Sequence, residues 1–219
     1  MSKIEKKKKG GVATVVENHL KDKVIKVTDG KEGDEYIVTR IEPTNPAINV
    51  INIYGEQEGR TSKEEVENSW WRLMADINDI DNRKEAMLLM GDLNRAIGND
   101  ELGIKGNKEK VSCGGELIKN LIGTKQYVLV NNLDIVEGGP WTFIDRQDGL
   151  RKSCLDLNIV SINLLPFITK VEVDNKRKFT PRRVMKRKDK IVTIFSDHFS
   201  TKVEMEGNPR VKNENPPGS

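Results

Sequence analysis

The sequence has little histidine and little cysteine: two histidines, His19 and His198, and two cysteines, Cys113 and Cys154, in 219 residues. Two histidines cannot build a three-histidine metal site, and the distant cysteines form no CxxC pair, which excludes a cysteine zinc cluster. The two cysteines also argue against a disulfide framework and fit a reducing compartment. Any metal site in this chain is therefore expected to rely on oxygen ligands.

Long hydrophobic runs are absent as well. No stretch reaches about 18 apolar residues, which excludes a transmembrane helix, and residues 1–11 lack the apolar segment of a secretory signal. Neither sign of charge is in large excess, because 37 Lys and Arg residues nearly balance 34 Asp and Glu residues, for a net charge of +3. Any basic binding surface must therefore be local.

Composition divides the chain into three parts. Residues 1–9 form a lysine-rich arm, residues 10–206 have the pattern of one folded domain, and residues 207–219 form a polar linker that contains proline. Within the domain, β-branched and continuous apolar runs predict strands. These strands are predicted at residues 12–16, 35–41, 48–54, 87–90, 127–132, 154–161, 168–173, 191–195 and 200–206.

Two helices are predicted among these strands. The first begins after Thr61 or Ser62, either of which can cap it. Its apolar face has steps of three and four residues and consists of Val66, Trp70, Leu73, Ile77 and Ile80. Trp70 and Trp71 are both predicted to pack in the core. Residues 116–122 predict a second, short helix, and the alternation of strands and helices indicates a layered α/β domain.

Two short polar segments follow apolar strands, where sites collect in layered α/β folds. In the segment GDLN (91–94), Asp92 and Asn94 are two residues apart and point to the same side if the backbone is extended. The acid can accept a proton or bind a cation, and the amide can donate to a phosphate oxygen. The second segment places Asp197 beside His198. Taken alone, each segment is also consistent with an ordinary turn.

Two further side chains are candidates. Asp156 lies between Leu155 and Leu157, where an acid is costly without a partner. His198 is an obvious partner, because its second ring nitrogen needs an acceptor; the alternative is an outward-facing, solvated acid. Tyr54 ends a predicted strand and offers a hydroxyl donor, or is a half-buried core tyrosine.

Taken together, four segments resemble the endonuclease/exonuclease/phosphatase superfamily, which has the DNase I-like fold: NIY (52–54), GDLN (91–94), SCLDLNIVS (153–161) and SDHFS (196–200). Within it, GGVATVV (10–16) and PWTFID (140–145) are most similar to the endonuclease domain of LINE-type, non-LTR retrotransposons. The resemblance covers roughly residues 10–206. It implies an α/β fold, a four-layer α/β/β/α sandwich, and phosphodiester hydrolysis with Mg²⁺, or with Mn²⁺ in its place.

The resemblance also implies roles for the residues of the site. Asp92 would orient or deprotonate the attacking water, and Asn94 would hold that water and the scissile phosphate. His198 would hydrogen-bond a phosphate oxygen, and Asp156 would orient His198. These roles agree with elementary chemistry, since phosphodiester cleavage needs an aligned nucleophile and a charge clamp on the phosphate.

The resemblance implies supporting roles for three more residues, and the sequence differs from the family pattern at its beginning. Asp197 would contribute to the metal site, Tyr54 would donate to the phosphate, and Ser196 would support the loop. In the family, a strand with an Asn and a strand ending in a metal-binding Glu precede the GGVA-like strand. Here Glu5, beside four lysines, is the sole candidate carboxylate there. The resemblance therefore predicts that the first two strands and the first helix are lacking, which would weaken metal binding and activity.

The segment 176–190 concentrates lysine and arginine in an otherwise nearly neutral chain. Such a segment suits contact with the backbone of DNA, or of RNA in its place, and can serve as a nuclear import signal; the alternative is a solvated loop. The residues predicted to contact the backbone are Lys176, Arg177, Lys178, Arg182, Arg183, Lys186, Arg187 and Lys188. An intracellular, nuclear protein is therefore expected, with no membrane partner.

Three functions fit these observations. The first is a Mg²⁺-dependent endonuclease domain that nicks DNA, derived from a retrotransposon polyprotein in which a reverse transcriptase domain would be its partner. The second is a non-catalytic nucleic-acid-binding remnant, favoured by the departure at the beginning of the domain. The third is a phosphatase of the same superfamily, against which the basic segment and the two retrotransposon-like segments weigh.

Overall fold

The computed structural model describes residues 12–26, 36–42, 44–55, 62–98, 111–139, 141–144, 152–180, 182–187, 190–195 and 198–206. Its two α-helices are α1 (Lys63–Asn82) and α2 (Cys113–Gly123). Its strands are β1 (Val24–Lys26), β2 (Tyr36–Ile41), β3 (Ile48–Tyr54), β4 (Ala86–Asp92), β5 (Tyr127–Leu129), β6 (Val136–Glu137), β7 (Phe143–Ile144), β8 (Lys152–Ser153), β9 (Asp156–Ser161), β10 (Ile168–Val173), β11 (Arg182–Arg187), β12 (Lys190–Phe195) and β13 (Thr201–Met205). Short 3-10 helices span Asn18–Lys23, Val130–Asn132 and Leu165–Phe167.

A six-stranded mixed sheet forms the centre of the domain, in the order β1-β2-β3-β4-β9-β5. Strands β3 and β4 are parallel because α1 crosses over between them, whereas β9 runs antiparallel to β4. A second sheet has the order β13-β10-β6, and β11 pairs with β12 in an antiparallel hairpin.

Each face of the large sheet has its own core. One face packs on the two helices, through residues such as Ile51, Leu89 and Ile159 of the sheet and Ile77 and Ile118 of the helices. The opposite face packs on the smaller sheet, where the strand pairs bury Leu88, Val160 and Val171. Helices, large sheet and small sheet are three of the four predicted layers, and the α/β fold class is confirmed. The prediction that further elements are lacking stays a prediction.

Helix α1 shows why the sequence folds this way locally. Ser62 and Glu65 form a capping box: the Ser62 hydroxyl accepts from the Glu65 amide at 3.2 Å, and the Glu65 carboxylate accepts from the Ser62 amide at 3.0 Å. The predicted apolar face is confirmed, since its members either lie buried or, for Trp70, pack partly buried against the core. Trp71, predicted to be buried, is 67% exposed, because the helical turn carries it one position past that face.

Other sequence predictions need correction. Residues 12–16 form no strand: Ala13 accepts a side-chain hydrogen bond from Asn52, and Val15 is 93% exposed. A β-branched run becomes a strand only where a neighbour pairs with it, and none of the described strands does so here. The segment predicted as strand 127–132 is a strand only to Leu129. Conversely, the basic segment contains strand β11, which the sequence did not predict because its charged residues interrupt the apolar pattern of a strand. None of the helices in the described part of the chain is both long and apolar enough to cross a membrane.

Candidate active site at the ends of strands β3, β4 and β9

Strand register brings the candidate residues together. Tyr54 is the partner of Asp92 across the parallel β3–β4 pair, and Asp92 is the partner of Asp156 across the antiparallel β4–β9 pair. Residues paired across a sheet project from the same face. The three side chains therefore form a row on the face that packs on the smaller sheet. This row lies where strands β3 and β4 end and β9 begins.

His198 completes this row from outside the sheet. Its ring nitrogen Nδ1 lies 3.0 Å from Oδ2 of Asp156, which confirms the predicted acid–imidazole pair. Its other ring nitrogen, Nε2, lies 3.6 Å from Oδ2 of Asp92. The ring also meets Phe143 edge-on, with 5.0 Å between ring centroids. The imidazole is thus held between two carboxylates and an aromatic ring.

Asp92 is an acid of the site with a raised pKa. Burial raises its pKa to about 6, and the nearby negative charge of Asp156 adds to the increase. His198 and two hydrogen bonds from Asn94 oppose this increase in pKa. The backbone amide of Asn94 donates to Oδ1 of Asp92 at 2.9 Å, and the side-chain Nδ2 of Asn94 donates to Oδ2 at 3.2 Å. A carboxyl that titrates near neutral pH can act as a base under ordinary conditions.

Asn94 lies in the turn that follows β4, and Gly91 lies in β4 directly before the acid. Asn94 has a φ of +50°, and its Nδ2 also donates to the carbonyl of Gly55 at 2.7 Å. The predicted pair of Asp92 and Asn94 is therefore a hydrogen-bonded unit that supports the acid. Gly91 has a φ of +132°, and a Cβ there would collide with the carbonyl oxygen of Ile53. Glycine is required because β3 and β4 approach each other closely beside the acid.

Thr142 is a residue that the sequence did not single out. It is fully buried, and its Oγ1 accepts from the amides of Leu155 and Asp156, both at 2.9 Å. Its own carbonyl accepts from the amide of Phe199 at 2.6 Å. One residue thereby ties the start of β9, which carries the acid, to the segment that carries His198. Only its place in the retrotransposon-like segment PWTFID offered a signal.

The site has the donors that a divalent cation needs. Asp92, Asp156 and His198 each offer one ligand atom, and these atoms lie within 4.8 Å of one another. Two carboxylates suit Mg²⁺ or Mn²⁺, which prefer hard oxygen ligands and retain several waters. The donor set therefore fits a divalent cation of this kind.

Tyr54 is the remaining predicted site residue that the structure describes. Tyr54 is 44% exposed at the end of β3, beside Asp92 in register. Ser196, Asp197 and Glu5 lie outside the described residues, so their predicted roles stay predictions.

The described residues that are predicted to contact the nucleic-acid backbone lie in the loop after β10 and in strand β11. Lys176, Arg177 and Lys178 lie in the loop that follows β10, where the first and third are exposed. Strand β11 contains Arg182, Arg183, Lys186 and Arg187, and Lys188 is outside the described residues.

No protein-family model and no curated protein matches the sequence, but solved structures match the fold. The chain is similar to a 3'-5' exonuclease (NExo) from Neisseria meningitidis, with 19% identity over 84% of this chain and 71% of that chain, at a TM-score of 0.58. A second structure, of the 3' phosphatase NExo from Neisseria bound to product DNA hairpin, gives a TM-score of 0.57 at 19% identity, over 84% of this chain and 70% of that chain.

A third similar structure is the endonuclease domain of TRAS1, a telomere-specific non-LTR retrotransposon, with 20% identity over 83% of this chain and 68% of that chain, at a TM-score of 0.51. At these identities the likeness concerns the fold. It agrees with the resemblance that the sequence motifs carry, and the chain therefore has a DNase I-like fold.

Proposed function

We propose that this chain is a divalent-metal-dependent phosphodiesterase that cleaves the backbone of nucleic acid. The observation that carries the proposal is that Asp92, Asp156 and His198 meet at the ends of β4 and β9 although they are distant in sequence. A pair of partly buried acids beside an imidazole is costly unless the group binds a ligand or does chemistry.

The side chains divide the work among them. Asp156 accepts from Nδ1 of His198 and so fixes which ring nitrogen faces the substrate. When the ring is protonated on both nitrogens, the Nε2–H group of His198 donates to a phosphate oxygen and stabilises the charge that develops there. Asp92, whose pKa is raised to about 6, orients the attacking water and accepts its proton.

The metal ligand that the sequence predicts is Asp197, which leaves Asp92 available as the base. When bound, Mg²⁺ or Mn²⁺ supplies positive charge against the phosphate oxygens. The substrate is proposed to be DNA, with RNA as the alternative. This is supported by the basic segment 176–190 and by the similar folds of an exonuclease, of a phosphatase bound to a DNA hairpin and of a retrotransposon endonuclease domain.

Supercoiled plasmid provides the test. The protein is incubated with plasmid in Mg²⁺, in Mn²⁺ and in EDTA, and conversion to the nicked form is followed on a gel. We expect nicking with either metal, none in EDTA, and little with His198→Ala. Glu67→Gln serves as the matched control, because Glu67 is on α1 and pairs there with Lys63. A plasmid that stays intact in both metals would overturn the proposal.

A 3'-phosphatase is the second candidate, because one similar fold belongs to a 3' phosphatase bound to product DNA hairpin. Two further substrates separate the candidates: an oligonucleotide with a 3'-phosphate and a small phosphate ester. Release of phosphate from the oligonucleotide without nicking favours the 3'-phosphatase, and hydrolysis of the small ester alone favours a phosphatase of another substrate class. Binding of DNA without turnover of any substrate favours the non-catalytic remnant.

A further inference from the structure

The chain between β10 and β11 forms a loop, Asp174–Thr180, organised by one buried carboxylate. Asp174 is 2% exposed, and its two oxygens accept from the backbone amides of Lys178 at 2.6 Å, Phe179 at 2.7 Å and Thr180 at 2.5 Å. Three charge-assisted hydrogen bonds hold the pKa of Asp174 below its usual range although burial opposes this. The backbone of the loop is therefore preorganised.

The same loop is fastened to the chain beside His198. The amide of Asp174 donates to the carbonyl of Ser200 at 2.9 Å, and the amide of Ser200 donates to Oγ1 of Thr180 at 3.2 Å. The guanidinium of Arg177 lies over the ring of Phe199, 4.9 Å from its centroid. Since Phe199 follows His198 directly, the loop is anchored next to the candidate active site.

The anchored loop presents an unusual set of side chains to solvent. Lys176 and Lys178 are exposed, and Phe179 is 41% exposed. Part of the Phe179 surface is therefore open to a ligand, on a backbone that the buried Asp174 holds in place. Cations interleaved with an exposed aromatic ring are the surface that single-stranded nucleic acid prefers, because phosphates pair with the cations and a base stacks on the ring.

We propose that Phe179 is a stacking platform for an unpaired base near the scissile phosphate, with Lys176 and Lys178 on the adjacent phosphates. The proposal rests on the proposed function, and it adds a preference for substrates with an unpaired base at this position. A fully paired duplex has no free base face that could stack on the ring, so Phe179 should not increase the affinity for such a duplex.

Fluorescence anisotropy with labelled DNA tests this. The probes are a single strand of about 12 nucleotides and the same sequence as a blunt duplex, in EDTA to prevent cleavage. Phe179→Ala should weaken binding of the single strand roughly 5- to 150-fold and that of the duplex hardly at all, whereas Phe179→Trp should retain both. Trp71→Ala is the matched control, since Trp71 is an exposed aromatic residue on α1.

Salt dependence separates stacking from charge. Lys176→Ala and Lys178→Ala should each make the negative slope of log K against log salt less steep, by about 0.7 for the single strand, whereas Phe179→Ala should leave the slope unchanged. If Phe179→Ala matches Trp71→Ala, or weakens the duplex as much as the single strand, the stacking proposal is wrong while the nuclease proposal stands. A wild-type protein that binds neither probe and leaves plasmid intact would overturn both.

Discussion

The imidazole of His198 and the carboxylate of Asp156 share a hydrogen bond of 3.0 Å although the two residues are 42 positions apart. With the Nδ1 hydrogen committed to Asp156, the Nε2 atom faces Asp92 at 3.6 Å. The pair thus sets both the orientation and the tautomer of the ring. Residues that act as such a unit lose their function together.

Removing Asp156 should therefore impair catalysis through His198. Asp156→Ala is expected to lower kcat for plasmid nicking about 10²- to 10⁴-fold with a small change in KM. The double variant Asp156→Ala/His198→Ala should be no slower than His198→Ala alone, because each single change already disables the pair. Nicking rates of the four proteins give the coupling directly, and losses that add independently would contradict the pairing.

The raised pKa of Asp92 makes stability depend on pH. The folded protein holds this proton to about pH 6 and the unfolded chain only to about 3.8. The stabilising contribution is therefore full below pH 3.8 and is lost as pH rises through 6. Asn cannot ionise, so Asp92→Asn should gain stability over the wild type as pH rises from 4 to 8, on the order of 2–3 kcal/mol. Urea unfolding in EDTA at several pH values measures this, and a difference that is constant with pH would contradict it.

Glycine at position 91 should be essential for stability. Gly91→Ala puts a Cβ onto the Ile53 carbonyl oxygen at a φ of +132°, so we expect a loss of about 3 kcal/mol or more. Gly123→Ala is the matched control, because a Cβ at the end of α2 meets nothing within 4 Å. That substitution should be neutral or stabilising by about 0.4–1 kcal/mol. Urea midpoints of both variants decide the matter, and equal midpoints would show that the close approach is relaxed.

Thr142 should support catalysis by holding Asp156 in position. Thr142→Val leaves the amides of Leu155 and Asp156 without their acceptor, which should cost about 1–3 kcal/mol of stability and displace the acid. Thr142→Ser keeps the oxygen and should restore most of the nicking rate. Thermal unfolding and the pH profile of kcat are measured on both variants. A serine variant as slow as the valine variant would mean that the methyl group, and not the hydroxyl, matters.

Much of the site could be predicted from the sequence because its residues occur at strand ends in recognisable segments. GDLN marks the end of a buried strand, and an acid among leucines needs a partner, which is how Asp156 and His198 were paired. Thr142 escaped notice because it bonds backbone amides, and backbone contacts leave no side-chain pattern in a sequence. Its importance follows only from the meeting of two distant segments.

The fold was predictable where apolar periodicity is strong and not elsewhere. Strands β3 and β4 and helix α1 follow their hydrophobic patterns within a few residues. Strand β11 was missed because arginines and lysines obscure its alternation, and residues 12–16 were assigned to a strand although pairing, and not propensity, determines that outcome.

The placement of Asp92 opposite Asp156 also determines which changes in length the protein tolerates. Because ladder pairing sets their separation, the turns between the elements that join these strands can gain or lose residues without moving the two acids apart. A single residue inserted within β4 or β9 would instead turn one acid toward the helices and dismantle the site. Insertions and deletions among natural variants of this chain are therefore expected between the strands and not inside them.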